Sequence, residues 1–378
     1  MKGKLKEKAS QDIPDLAGTV RSIVSVQRSD GEIPWSPEGK TDPWDHVESA
    51  MALSVAGCFE EAAAAFAWSA RTQNADGSFY ASYKNGHPDE RRKDPNMSSY
   101  LAVGVLHHFL VTGDQAFLSR MWPCVESAVD FAVSMQAPDG EIFWSMDDNG
   151  VVEERALLTG SCSMFLSIRC ALVLASRLSL VRPQWEFAVR KLGQAIRGRS
   201  NLFDLTKSRY SMDWYYPMLS GAVTGEAAGK RFSEHWDKFV VPHWGVRCVS
   251  DRPWVTMAES SECILALTAA GRYEEAEKIF SWIRDSRDDQ GGYWTGLTFP
   301  DSVIWPTERT TWTTGAVLLA ADALFGWTEG RKVFSHAFWE QVRLHQKAGT
   351  RMETFAKMPD RVVPSPDAAR DDRQRQTG

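Results

Sequence analysis

Four short segments of this 378-residue chain set carboxylates beside aromatic rings. The first is Asp42-Pro43-Trp44-Asp45-His46-Val47-Glu48. Asp42 and Pro43 read as the cap and first position of a helix, with Asp45 in the capping turn. Capping does not account for Glu48, one turn further into a helix that continues Ser-Ala-Met-Ala-Leu. The second segment, Met212-Asp213-Trp214-Tyr215-Tyr216-Pro217, puts three rings after an acid. Such a sequence suits a sugar subsite, where rings stack on the CH faces and a carboxylate takes hydroxyls, although core packing would use the same rings. The third carries Arg247, Asp251, Arg252 and Trp254, then Glu259 and Glu262. Three residues apart, the two glutamates share a helix face. Burying them is costly unless they are paired or functional, and Arg247 and Arg252 are the structural partners available. The fourth, Trp305-Pro-Thr-Glu308-Arg-Thr-Thr-Trp312, again places an acid between tryptophans, though a first-turn capping role would also retain Glu308.

Acids converging from several helices can supply the pair that glycoside hydrolysis needs. One protonates the leaving oxygen, while an opposed carboxylate about 6.5–9.5 Å away activates water in an inverting enzyme. Glu259 is expected as the acid and Glu308 or Asp45 as the base. Trp44, Trp214, Tyr215 and Trp305 are expected to stack on the sugar. Glu48, Asp213, Arg247, Asp251, Trp254, Glu262 and Trp312 complete the expected binding surface. Asp94, Tyr100, Thr159 and Ser161 offer less. No metal site and no cofactor are expected; the ligand would be a small molecule or an oligosaccharide.

The elements that must position these residues show themselves in a repeated turn. Gln27-Arg-Ser-Asp-Gly31, Gln73-Asn-Ala-Asp-Gly77 and Gln136-Ala-Pro-Asp-Gly140 each follow an amphipathic stretch and precede an aromatic or apolar pair. Arg287-Asp-Asp-Gln-Gly291 is a degenerate copy. Glycine there suits a reversal at positive φ. Pairing the stretches on either side gives six helical hairpins. The outer and inner members run 13–27 with 43–56, 58–73 with 97–112, 115–136 with 159–178, 183–197 with 213–224, 228–239 with 254–270, and 272–288 with 308–325. Outer stretches carry charge on one face. Inner ones, such as Thr313 to Leu324, are apolar nearly all round and must be buried. The fold expected is an all-α, (α/α)6 barrel or toroid over residues 1–350. The helix at 228–239 reads as short, a last helix near 329–348 is expected outside the ring, and no convincing strand appears. Residues 351–378, above all the Pro-, Asp- and Arg-rich stretch from Lys357, read as a flexible tail.

These turns resemble the ones in two toroid superfamilies. One is the six-hairpin glycosidases; the other is the terpenoid cyclases with the prenyltransferase β subunits, where they are called QW motifs. Asp42–His46, Met212–Pro217 and Val246–Trp254 also resemble a group of bacterial proteins labelled prenyltransferase-like, a label that implies no activity. The resemblance covers about residues 12–325. A prenyltransferase would need an Asp/Cys/His zinc site, and no inner helix start offers that trio. A class II cyclase would need Asp-x-Asp-Asp; Ser145-Met-Asp-Asp148 lacks the first Asp and runs into the turn Asn149-Gly150. The sugar epimerases of this class use paired histidines, whereas His46 alone stands near an inner helix start. The resemblance therefore implies a carbohydrate-active enzyme, hydrolase first. An isoprenoid enzyme with an apolar chamber and a non-catalytic toroid that binds a glycan or a protein are the alternatives.

Composition agrees with that class. A formal net charge of −6, without a basic block beyond the first eight residues, argues against nucleic acid. Cys58, Cys124, Cys162, Cys170, Cys248 and Cys263 form no CxxC pair and no Cys/His ligand spacing. They read as buried thiols of a reducing compartment. Neither a signal peptide nor a membrane span is expected, and the expected location is the cytoplasm.

Overall fold

The structure, a computed structural model, describes Ile13 and residues 15–348. The Lys-rich start and the expected tail at 351–378 lie outside the described residues. Six hairpins follow one another along the chain. Outer α1 (Leu16–Val24) leads to inner α2 (Pro43–Val55), and α3 (Phe59–Thr72) leads to α4 (Pro95–Ser99) and its continuation α5 (Leu101–Thr112). Then come α6 (Gln115–Ser134) with α7 (Leu158–Arg177), and α8 (Pro183–Gly198) with α9 (Ser211–Leu219). α10 (Gly225–Phe239) with α11 (Met257–Ala269), and α12 (Tyr273–Ile283) with α13 (Thr311–Phe325), complete the set.

Helices that are apolar on every side need protein on every side. α2, α5, α7, α9, α11 and α13 each pack on the next, and α13 returns to α2, so the inner ring is closed. The outer helices lie against its flanks. α7 has the length and apolarity to cross a bilayer, but 72% of its most apolar window is buried inside the ring.

The repeated turns fasten the outer helices to one another. Gln27 Nε2 donates to Gly31 O (3.2 Å) within its own turn and to Glu61 O (2.9 Å) on α3. Gln73 bonds Gly77 O and, on α6, Cys124 O. Gln136 bonds Gly140 O and, on α8, Ala188 O. Each glutamine is thus a clamp between one hairpin and the next. At Gly291 (φ +92°) the degenerate copy meets the backbone of Gly18 and Thr19 on α1, so the sixth hairpin locks onto the first.

Several expectations are corrected. Two antiparallel four-stranded sheets form from the loops that precede inner helices. β1 (Tyr80–Lys84), β2 (His87–Lys93), β3 (Ser145–Met146) and β4 (Val152–Glu153) make one. β5 (Val240–Val241), β6 (Gly245–Arg247), β7 (Trp254–Thr256) and β8 (Gly296–Thr298) make the other. The fifth inner helix therefore begins at Met257, and Trp254 belongs to a strand paired with Thr298. The sixth begins at Thr311, because Thr310 supplies the cap by accepting from Thr313 N; Glu308 stays in the loop. α10 is a full 15 residues, and the second inner helix is interrupted at Tyr100. The segment expected as a helix from 329 starts as a 3₁₀ turn, Gly330–Phe334, packed on α5, α11 and α13. Its buried Val333 and Phe334 floor the ring, with α14 (His336–Ala348) behind them.

Candidate active site

The N-termini of the inner helices face the end of the ring opposite this floor, and their dipoles concentrate positive potential there. Local chemistry sets the start of α2. Asp42 accepts Asp45 N (2.9 Å) and Trp35 Nε1 (3.1 Å), and Pro43 takes the first helical position. That capping places Asp45 in the first turn and Glu48 one turn deeper. On α11, two places round the ring from α2 with α13 between, Glu259 and Glu262 repeat the spacing.

The four carboxylates form two tiers. In the deeper tier, Glu48 is 2% and Glu262 6% exposed. Glu262 accepts from the hydroxyls of Tyr215 and Tyr216, the latter at 2.6 Å. The Trp44 indole bonds Glu48, and its ring stacks on Tyr100 with centroids 4.2 Å apart. In the upper tier Asp45 and Glu259 are only half-buried, so a ligand entering the mouth meets them first.

Crowding acids in a dry place favours the protonated form. Burial pushes Asp45 well above the usual carboxylate range, and the neighbouring Asp42 and Glu48 push it further; the Trp35 indole opposes them. Burial, then the charge of Glu262, raises Glu48 in the same way. Glu262 is raised to about 7 by burial, against the pull of its two tyrosine hydrogen bonds. Tyr100, Tyr215 and Tyr216 are all pushed up by burial and by these same acids. The Cys248 thiol, bonded to Glu259, is pushed up as well.

Of the residues singled out from sequence, Asp45, Glu48, Glu259, Glu262, Trp44 and Tyr215 come together here. Asp213 is turned to α7, whose start has no cap of its own. It accepts from Thr159 N (3.2 Å) and Thr159 Oγ1 (2.7 Å). Trp214 faces the other way: Nε1 donates to Arg231 O, and the ring stacks on Phe239 of α10. It is core, not the expected sugar platform. The ion pairs that were the structural alternative for the α11 glutamates do not form. Arg247 instead bonds Ser250 O and covers Phe299. Asp251 pairs with Arg209 on the surface. Trp254 and Trp305 meet edge to face at 4.9 Å on the exposed rim. Glu308 is exposed beside Thr295, in the loop before α13. Trp312 sits half-buried near Trp35, with its indole N–H unpaired. Sequence reasoning undervalued Tyr100 and passed over Tyr216 and Cys248; the adjacent tyrosines at 215 and 216 were the signal available. His46 is spent on structure, hydrogen-bonded to Ile33 N and Ala65 O.

No family model matches the chain. It is 50% identical over 316 residues to the MMP endo-(1,4)-3-O-methyl-alpha-D-mannosidase of Mycolicibacterium hassiacum, covering 84% of this chain and 88% of that protein. A glycosidase solved in complex with glucose superimposes with a TM-score of 0.64 at 16% identity, over 86% of this chain and 98% of that one. The GH63 mannosylglycerate hydrolase of Thermus thermophilus gives 0.64 at 11% identity, over 80% of this chain and 98% of that one. The cellobiose 2-epimerase of Spirochaeta thermophila gives 0.59 at 10% identity, covering 86% and 98%. At such identities the solved structures establish the six-hairpin fold, and the mannosidase establishes the kinship. The chain belongs to the family of that endo-mannosidase and is a glycoside hydrolase acting on oligosaccharide.

Proposed function

We propose that the chain cleaves internal α-1,4 linkages in a 3-O-methylated mannan, the substrate class named for its relative, with inversion at the anomeric carbon. One observation carries the catalytic part: carboxylates from α2 and α11 meet across the mouth in two tiers, and only the upper pair is open to a ligand. Asp45 and Glu259 are the reacting pair in this reading. Burial and two acidic neighbours favour a proton on Asp45, which makes it the donor to the leaving glycosidic oxygen. Glu259 takes a proton from water as that water adds to C1 on the opposite face, and the glycosidic C–O bond breaks. The roles of the two are thus exchanged relative to the expectation from sequence. Glu48 and Glu262 hold position beneath them. Six unpaired thiols among the described residues support a reducing compartment, with the cytoplasm as the place.

The test is hydrolysis of a synthetic α-1,4-linked 3-O-methyl-mannooligosaccharide followed by proton NMR. The β-anomer is expected first, and Asp45→Asn and Glu259→Gln should each lower kcat by about a hundred- to ten-thousand-fold. An α-anomer as first product, or near-normal rates in both variants, would overturn the assignment.

A further inference from the structure

Past the end of α9 the wall of the ring gives way to an open cavity of about 1200 Å³. The cause is length: α9 has nine residues, whereas its neighbour α7 has twenty. Residues of α7, α8, α10 and α14 line the gap, and none of them belongs to the acid cluster. The lining is one-sided in charge. Arg169, Arg197, Lys230, Arg231 and Arg343 contribute to it, with only two carboxylates. Both carboxylates are already taken, Glu234 by Lys230 at 3.6 Å and Glu340 by Arg343.

Among the described residues, that leaves Arg169, Arg197 and Arg231 without an ion pair. Arg169 donates to Ser220 O (3.4 Å) and Arg197 to Ala222 O (3.1 Å). Arg231 donates to Trp214 O (2.9 Å) and Asp213 O (2.6 Å). Carbonyls near a helix end attract cations, which accounts for one or two of the five N–H groups on each fork. The others are within reach of a ligand: Arg197 is exposed, and no nitrogen of Arg169 or Arg231 is both buried and unbonded. Phe165 and Trp339 hold the Arg169 guanidinium, 5.2 and 4.1 Å from their ring centroids, so it is fixed without a counter-ion. Like charges also press on one another. Burial draws Arg169 down to about 10, opposed by the Cys170 thiol and reinforced by the charge of Arg197. Burial lowers His336 too, and Arg169 lowers it further against the bond to Met218 O. Partly buried cations without an anion are costly, and a bound anion would relieve that cost. The first turn of α10 adds to the attraction. Thr224 and Gly225 line the cavity, and no side chain caps the helix there.

We propose that this cavity binds a phosphate group, free or carried by a small molecule, between Arg169, Arg197 and the start of α10. Guanidinium forks pair with phosphoryl oxygens two at a time, and three of them balance a dianion better than a lone carboxylate. The volume exceeds that of phosphate alone, and Ile196 and Val223 offer apolar surface to a carrier. The site is separate from glycoside hydrolysis and stands or falls without it.

Calorimetric titration of the full chain with inorganic phosphate and with glucose 6-phosphate, against acetate at matched ionic strength, is the test. Wild type should bind one phosphate group and no acetate. Arg197→Gln, at an exposed position, should weaken binding about tenfold or more. Thr224→Asp puts a carboxylate at the α10 cap; it should hold or raise the melting temperature and abolish binding. Tighter binding of glucose 6-phosphate would identify a carried group, and tighter binding of inorganic phosphate the free ion; either supports the site. No binding by wild type, equal response to acetate, or phosphate binding unchanged in both variants overturns it.

Discussion

The mouth of the ring has two walls of opposite character, made from the same device. On the side of α2 and α11, inner-helix starts present four carboxylates backed by tyrosine hydroxyls and an indole. On the side of α4, α7 and α9, they present Leu157, Met164 and Met212 beside Asp94 and Asp213, carboxylates already engaged by Arg92 and the start of α4 and by Thr159. The helix dipoles are alike on both sides, so they do not make the difference. The side chains of the first two turns do. One wall stores protons in a dry cluster, where each acid raises its neighbour. On the other, Asp94 and Asp213 are held by helix N–H groups, a guanidinium and a hydroxyl, so their charge is committed to structure. In the proposed reading, proton transfer belongs to the first wall and the capping of helices to the second.

The largest effects should separate the walls outright. Asp45→Asn combined with Glu259→Gln should be hardly worse in kcat than either alone, since members of one catalytic unit are not additive. Multiplying losses would break the unit apart.

Next comes the deeper tier. Because the folded protein raises Glu262 from 4.5 to about 7, its contribution to stability is complete below pH 4.5 and is lost as pH rises to 7. Glu262→Gln cannot ionise. Its stability relative to wild type should therefore climb between pH 4.5 and 7, by at most on the order of 3 kcal/mol, and then level off. Chemical denaturation across that range checks it, and a flat difference would mean that the tier carries no stored proton.

A pair of glycines sharpens the comparison further. Gly291→Ala, at φ +92° and hard against the backbone of α1, should cost about 2 kcal/mol or more. Gly160→Ala, on α7 where an added Cβ meets only ordinary contacts, should be neutral or stabilising by up to about 1 kcal/mol. The smallest effect on function is expected from Trp214→Phe. It should lower the melting temperature by a few degrees and leave KM unchanged, because this ring packs on α10 and not on sugar. A clear rise in KM would return Trp214 to the cavity.

What could be read from the chain follows what is local. The Gln-x-x-Asp-Gly turns announce the hairpins because each turn, and half of each clamp, lies within five residues. The start of α2 is equally plain, since Asp42, Pro43 and Asp45 form one capping unit. The strands were not legible. Lys93 of β2 pairs with Met146, and Trp254 of β7 with Thr298, partners brought together by the ring and not by any alternating pattern. Asn85-Gly86 between β1 and β2 and Asn149-Gly150 between β3 and β4 were the hairpin signals on offer. Trp214 was misjudged because three rings in a row on a nine-residue helix give no clue to which one faces inward. Glu308 was drawn into a helix that Thr310 starts three residues later.

The closure of the ring sets a clock on synthesis. Thr311 N and Oγ1 bond Trp35 O and Pro34 O, and Gly291 seats on α1, so the first hairpin finds its second neighbour only when the last one has been made. The acids of α2 and α11 flank α13, and they cannot face each other at their final spacing until that helix slots between them. A ribosome part-way through this message therefore carries no working hydrolase. A nascent chain halted before residue 311 would hold every proposed reacting group and still be inert.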